Sequence, residues 1–326
     1  MAVALTRLRL FGRRHRVPIT IVGSLVSAAI LAFVLAGRRD EFREALSSAS
    51  VWVLAVTVLL QIVALVSRSE AWHLTIEAAG GTVPRRVLYR ASSMSVLGGV
   101  LNAQFAAAAR IAALRRSSPE VSPKVPTLIA AEFPIVAVEA VLAALASFTL
   151  VAPLGLPWWL PLIFVAVMVT ASAGLRHLAQ REARELWKGL TVLRQLRHGA
   201  RVVVFVLIAV FAQIFRNWTL LNAVGVDASL FDSVAVLIAV VALAQLPVGP
   251  SVGAAAAVLI LGSDGVAAAA AAGVLMTVTG TIGGLCFAGW AGADKLWTIS
   301  RWGPVRRAAR RVHASGPDGA PSEPRP

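Results

Sequence analysis

ASSMSVLGGVLNAQFAAAA, residues 91–109, and VAVLIAVVALAQLPVGPSVGAAAAVLILG, residues 234–262, decide how this chain is read. Both stretches are apolar, and both are broken in the middle. The first is interrupted by Gly98-Gly99 and carries Asn102 and Gln104. The second is interrupted by the run from Pro247 through Gly249, Pro250 and Ser251 to Gly253. Each follows a similar lead-in, Trp72-His73-Leu74 to Gly80 and Trp218-Thr219-Leu220 to Gly225, about 145 residues apart. Broken hydrophobic segments at corresponding places in two halves point to a site near mid-membrane. Gly98, Gly99, Pro247, Gly249, Pro250 and Gly253 are the expected hinges, because Gly and Pro let a backbone bend or approach a neighbour closely.

The composition supports a membrane setting. The 326 residues are 58% hydrophobic and only 14% charged, with a mean hydropathy of +0.77. A soluble domain has no interior large enough for that apolar content, so the chain is read as an integral, all-α membrane protein. Its net charge of +15 flanks apolar runs, which excludes nucleic acid as the partner and points to anionic lipid headgroups. A single Cys286 cannot close an intrachain disulfide.

The spanning candidates are Pro18–Ala36, Val51–Ser67, Val125–Val151, Leu156–Gly174, Val202–Leu221 and Val266–Trp290. Each is long enough to cross roughly 30 Å of hydrocarbon. Trp52, Trp72, Trp158, Trp159, Trp218 and Trp290 fall near segment ends, as an aromatic belt requires. Residues 1–17 read as a basic cytoplasmic N-terminus, 18–302 as the membrane domain with repeat halves at about 50–152 and 201–290, and 303–326 as a disordered cytoplasmic tail. Charge distinguishes full spans from re-entrant hairpins. With both broken segments as full spans, Lys and Arg divide almost evenly between the two sides. With both as hairpins, 27 of the 31 lie on the cytoplasmic side, as the positive-inside rule demands. The hairpins then enter from opposite faces. The expected architecture is about six full transmembrane helices plus two re-entrant hairpins arranged as inverted repeats, in the plasma membrane with both termini cytoplasmic.

Ionisable groups inside such a domain are costly, roughly 2.5–3.5 kcal/mol each, and are read as functional by default. Glu132 and Glu139 lie seven residues apart on one helix face, with Pro134 between them. Arg216 lies deep in another helix beside Asn217. Either these groups handle a ligand or a Glu–Arg pair fixes helix packing. Gly249-x-Ser251-x-Gly253 matches a hydrolase elbow, but no strand pattern precedes it and no His lies at membrane depth to activate Ser251, so no enzyme is expected. No metal-ligand cluster or cofactor fingerprint occurs, and no cofactor is expected. Residues 176–201, basic and carrying Leu186, Trp187, Leu190 and Leu193, read as an amphipathic helix on the inner leaflet.

Across nearly its whole length the chain resembles the flippase-like membrane domain of lysylphosphatidylglycerol synthases and their stand-alone relatives. The first half carries the resemblance in Trp72, Gly80, Asn102 and the run Arg110-Ile111-Ala112-Ala113-Leu114-Arg115-Arg116. The second carries it in Trp218, Gly225, Leu246-Pro247-x-x-Pro250-x-x-Gly253 and Gly265-Val266. Departures from the family pattern are Phe105–Ala109 where relatives have Pro-Gly and Gly-Glu, and Ala254–Ala257 where they have Gly and Glu. Thr277 and Thr279 stand where relatives often have an Arg, while Glu132 keeps their acidic position. The resemblance implies translocation of a phospholipid or lipid-linked sugar, or assembly with envelope-biosynthesis enzymes, rather than lipid synthesis, because the chain leaves no room for an aminoacyl-transferase domain. On this reading Glu132, Glu139, Arg216, Asn217, Asn102, Gln104 and Arg110 are the substrate-binding candidates.

Overall fold

A computed structural model describes residues 35–101, 103–117, 123–181, 196–244, 251–262 and 265–314, with isolated positions between 25 and 33. At 97–101, 103–105, 172–173, 175–181, 196–198 and 294–314 it describes backbone alone. The fold is all-helical, with no strand among the described residues. In chain order the helices are α1 (Arg39–Ser48), α2 (Val51–Ala78), α3 (Arg85–Leu101), α4 (Ala103–Ser117), α5 (Val125–Ala130), α6 (Phe133–Ala146), α7 (Leu160–Arg181), α8 (Leu196–Ala223), α9 (Leu230–Leu243), α10 (Val252–Leu261) and α11 (Val266–Ala314). A 3-10 turn, Ser147–Leu150, extends α6.

Four helical stretches are long and apolar enough to cross a membrane: Val51–Ala78, Val125–Leu150, Gly199–Ala223 and Val266–Ala293. About six were expected. Most of Pro18–Ala36 lies outside the described residues. In α7 only Leu160–Ala171 is apolar, and it is too short. The stretch 125–150 is a span in three pieces, because Pro134 has no N–H to donate back across Ala131-Glu132. Helix α2 runs eleven residues beyond the expected Ser67, through Arg68, Glu70, His73 and Glu77. Their charges find partners there, so the helix has no reason to stop.

Helices α2 and α8 are each 28 residues long and form the central pair. Ser48, just before α2, donates to the carbonyl of Ala223 at the end of α8 (2.9 Å). At the other end, Ala71, Trp72 and Ile76 of α2 share a core with Val202 and Val206 of α8. The two helices are therefore antiparallel. Both end in the same way. Gly80 and Gly225 each adopt φ +85°, and the following N–H reaches back to the carbonyl five residues earlier, Gly81 to Ile76 (2.9 Å) and Val226 to Leu221 (3.1 Å). This is a Schellman termination, which needs a left-handed residue and so selects glycine.

Each helix then leads into a helical hairpin. Residue 102 alone separates α3 from α4, which pack along each other; α9 and α10 also pack together, with α10 lying on α11. Two apolar cores result. One joins the C-terminal part of α2 to α3–α6 and the first half of α8. The other joins the C-terminal part of α8 to α9, α10 and the first half of α11, with α1 against it. They lie at opposite ends of the α2–α8 pair.

Some expected features take another form. Gly98 and Gly99 lie within α3, which continues to Leu101, so they are not the break. Gly253 lies inside α10, where a Cβ would stand 2.6 Å from the Gly273 carbonyl oxygen. It serves close helix packing rather than a hinge. Pro247, Gly249 and Pro250 lie outside the described residues, as do Leu186, Trp187, Leu190 and Leu193. Residues 176–181 end α7 and 196–201 begin α8; 182–195, the middle of the expected surface helix, lie outside the described residues. The backbone of α11 is helical to Ala314, past residue 303.

Candidate functional site

Two polar layers cross the apolar interior. The first surrounds Arg216 of α8, which is 9% exposed. Its guanidinium donates to Oε1 of Gln61 on α2, and more distantly to Oδ1 of Asn217 (3.5 Å). Helix α11 makes room for this group at Gly280, where a Cβ would stand 3.3 Å from Nη1. Three residues on, Gly283 accommodates Gln61 itself, since a Cβ there would stand 2.8 Å from Cγ. Both acceptors are neutral, and among the described residues no carboxylate pairs with Arg216. Its Nε is buried without a hydrogen-bond partner. The layer thus holds a full positive charge with donors to spare, the arrangement that recognises a phosphate or carboxylate oxygen.

The second layer lies one helical heptad along α2, about 10 Å away at 1.5 Å per residue. Arg68 pairs with Glu139 of α6 (2.9 Å). Arg110 of α4 pairs with Glu132, the second of the two residues between α5 and α6. The Arg110 guanidinium also lies 4.1 Å from the centroid of the Trp72 ring, a cation–π contact that offsets part of its desolvation. Arg110 is within electrostatic reach of Arg68 and Glu139 as well, so the two pairs form one cluster. Its charges balance, two against two. The cluster ties α4 to the α5–α6 junction and α2 to α6.

The sequence candidates divide accordingly. Glu132 and Arg110 meet, Arg216 and Asn217 meet, and Glu139 finds Arg68. Neither Glu132 nor Glu139 pairs with Arg216; they lie on the other layer. Asn102 lies outside the described residues, and only the backbone of Gln104 is described. Gln61, Arg68 and Trp72 were not among the candidates. Gln61 and Arg68 carried a signal, being polar residues seven apart on one face of an apolar helix. Trp72 is not a belt residue: it is fully buried beneath Arg110, whereas Trp52, Trp158, Trp159, Trp218 and Trp290 are exposed. Trp218 instead closes the second half's turn by donating to the Ala228 carbonyl (3.0 Å). Ser251 is the N-cap residue of α10, and its side chain makes no capping bond. Among the described residues, no group of His, Cys, Asp and Glu is arranged to hold a metal ion. A scan against protein-family models matches none, and searches of curated proteins and of solved structures find no similar chain.

Proposed function

We propose that the chain is a lipid flippase-like protein of the plasma membrane, built from inverted repeats whose two hairpins re-enter the bilayer from opposite faces. The observation that carries this reading is Arg216, a buried guanidinium in a membrane-spanning helix answered, among the described residues, by amides alone. A structural ion pair would have placed a carboxylate there, as it does at Arg110. The substrate class is an amphiphile with an anionic headgroup, a phospholipid or a lipid-linked sugar, whose phosphate meets Arg216 while its chains stay in lipid. Antiparallel α2 and α8 with matching terminations support the inverted repeat, and rocking one half against the other would give alternating access. The resemblance to the flippase-like domain of lysylphosphatidylglycerol synthases points the same way.

The test is translocation of a labelled phosphatidylglycerol in reconstituted vesicles. Arg216→Gln should slow it at least about tenfold, the equivalent of 1.4 kcal/mol. Equal rates for wild type and Arg216→Gln would overturn the role of Arg216. A second reading, a non-transporting scaffold for envelope enzymes, draws on the second hairpin. Ala254, Ala256 and Ala257 of α10 are buried, leaving the face it turns to its neighbours without polar side chains there. Wild-type protein that moves no lipid but binds an envelope glycosyltransferase or synthase would select this reading.

A further inference from the structure

Helix α11 meets its neighbours in two different ways along its length. Its first half is held to α10 by backbone, at the approach of Gly253 to Gly273. Its second half runs from the Arg216 layer along α2 and α3. Gly280 stands against Arg216, Gly283 against Gln61 and Gly284 against Val96 of α3. Over the next two turns Phe287 and Trp290 meet the Tyr89 ring of α3 edge-on, at centroid distances of 6.1 and 5.6 Å. The Tyr89 hydroxyl donates to Glu70 of α2, which ties α3 to α2. The α3–α11 seam therefore lies between the Arg216 layer and the end of the molecule that carries Tyr89, Glu70 and Arg85. It also joins the two halves, since α3 belongs to the first hairpin and α11 to the second core.

The two stretches of α11 differ in how firmly they are held. At Gly273 the obstacle to a Cβ is the backbone of α10, whereas at Gly284 it is the Val96 side chain. The aromatic contacts beyond Gly284 are edge contacts, each worth a factor of roughly two to ten in an equilibrium. Trp290 is 61% exposed, so only part of it is committed to the seam. The adjacent Gly283 and Gly284 fall where the firmly held stretch gives way to the looser one, and paired glycines are where helices bend. Gly289 and Gly292 follow, each with nothing within 4 Å of an added Cβ. No packing accounts for them, and glycine weakens a helix interior relative to alanine. The second half of α11 is thus a pliant arm held shut by side chains.

We infer that the α3–α11 seam is a gate over the Arg216 layer. The arm of α11 beyond Gly283-Gly284 swings from α3, parts Phe287 and Trp290 from Tyr89, and opens the layer to water at that end. Glu70 keeps Tyr89, and with it α3, on α2 while α11 moves. The inference rests on the reading of the Arg216 layer as a site, and it names the contact that must break when the two halves rock apart.

The experiment follows a thiol placed in the layer, in the full chain purified into lipid nanodiscs with Cys286→Ser as background. Asn217 is buried and bonded to Arg216, so Asn217→Cys reacts only when the layer opens. The reagent is 2-sulfonatoethyl methanethiosulfonate, an anion that does not cross lipid, and the readout is the mass of the peptide carrying residue 217. With the seam free, Asn217→Cys should be modified. Val96→Cys with Gly284→Cys closes the seam covalently. A Cβ at Gly284 would stand 3.4 Å from the Val96 Cβ, at the short end of the disulfide range. The oxidised pair should slow modification at least about tenfold, and prior reduction should restore it. Trp290→Ala, at an exposed position, should speed modification severalfold with the seam free and leave it slow with the disulfide formed. A reporter that never reacts, or reacts equally fast with the disulfide formed, would overturn the gate. Faster reaction of Trp290→Ala with the disulfide formed would mean that the fold has loosened elsewhere, and an unchanged rate with the seam free would remove the aromatic contacts as what holds it shut; either result counts against the inference. No lipid substrate takes part. A gate that opens in a chain moving no lipid would leave this inference standing and the transport reading fallen, and lipid movement undiminished with the disulfide formed would do the reverse.

Discussion

Arg110 shows how one side chain can be both expensive and indispensable. It is 7% exposed, stacked on Trp72 and paired with Glu132. Burying the pair recovers little net stability, since desolvation consumes most of the attraction. Removing one partner is another matter, because the charge left behind has no solvent. Glu132→Gln should lower stability by about 3–5 kcal/mol, read as a large drop in thermal unfolding temperature in detergent. Adding Arg110→Gln should restore much of the loss, since two amides can bond each other without charge. A double variant no more stable than Glu132→Gln would show that the contribution of Arg110 lies in its packing on Trp72. The Arg68–Glu139 pair is less enclosed by protein, so breaking it should cost less than breaking Arg110–Glu132. At this scale the sequence identified the costly residues but not their partners. Spacing along a helix tells which residues share a face. It does not tell which neighbouring helix that face meets, and so Glu139 could not be assigned to Arg68, nor Arg216 to Gln61.

Among the elements, α10 and α11 approach each other closely. A Cβ at Gly273 would lie 2.3 Å from the Ala254 Cα, and one at Gly253 would lie 2.6 Å from the Gly273 carbonyl oxygen. Both obstacles are backbone, so neither can swing aside. Small residues at such crossings let helices gain dispersion contacts that the lipid cannot supply. Gly273→Ala should force the helices apart and cost about 1–3 kcal/mol. Gly289→Ala, on the same helix with nothing within 4 Å of its Cβ, should instead be neutral or stabilising by up to about 1 kcal/mol through helix propensity. Unfolding temperatures measured side by side would separate the two, and equal shifts would mean that the crossing is looser than this geometry. The glycines were visible in the sequence, but their purpose was not. Gly98, Gly99 and Gly253 looked like hinges because Gly in an apolar run has two physical meanings, a bend or a close approach. The choice between them depends on a contact with another helix, as Gly253 meets Gly273, which spacing along the chain does not reveal. Gly80 and Gly225 stood out in the sequence only as the ends of two similar lead-ins; that each closes a helix by its left-handed φ is what the structure adds.

For the whole molecule, the decisive relation is that α2 and α8 are alike and run in opposite directions. At 1.5 Å per residue, 28 residues extend about 42 Å, more than the hydrocarbon thickness, so the proposed inverted repeat would put their C-terminal turns on opposite sides of the bilayer. The charges beside those turns agree. The first turn leads into Arg85, Arg86 and Arg90, whereas the second leads into Asp227 and Asp232, and no Lys or Arg occurs anywhere from 217 to 294. In the proposed topology, the positive-inside rule would set the first turn in the cytoplasm and the second outside. Both Thr82 and Asp227 are exposed, and Cys286 can be replaced by Ser to give a background free of native thiols. In that background, Thr82→Cys should react with an impermeant maleimide only after the membrane is opened, and Asp227→Cys in intact cells. Reaction of both from the same side would break the link between antiparallel helices and opposite faces, and the inverted repeat would fall with it. Reversal of the two would keep the repeat but invert its orientation.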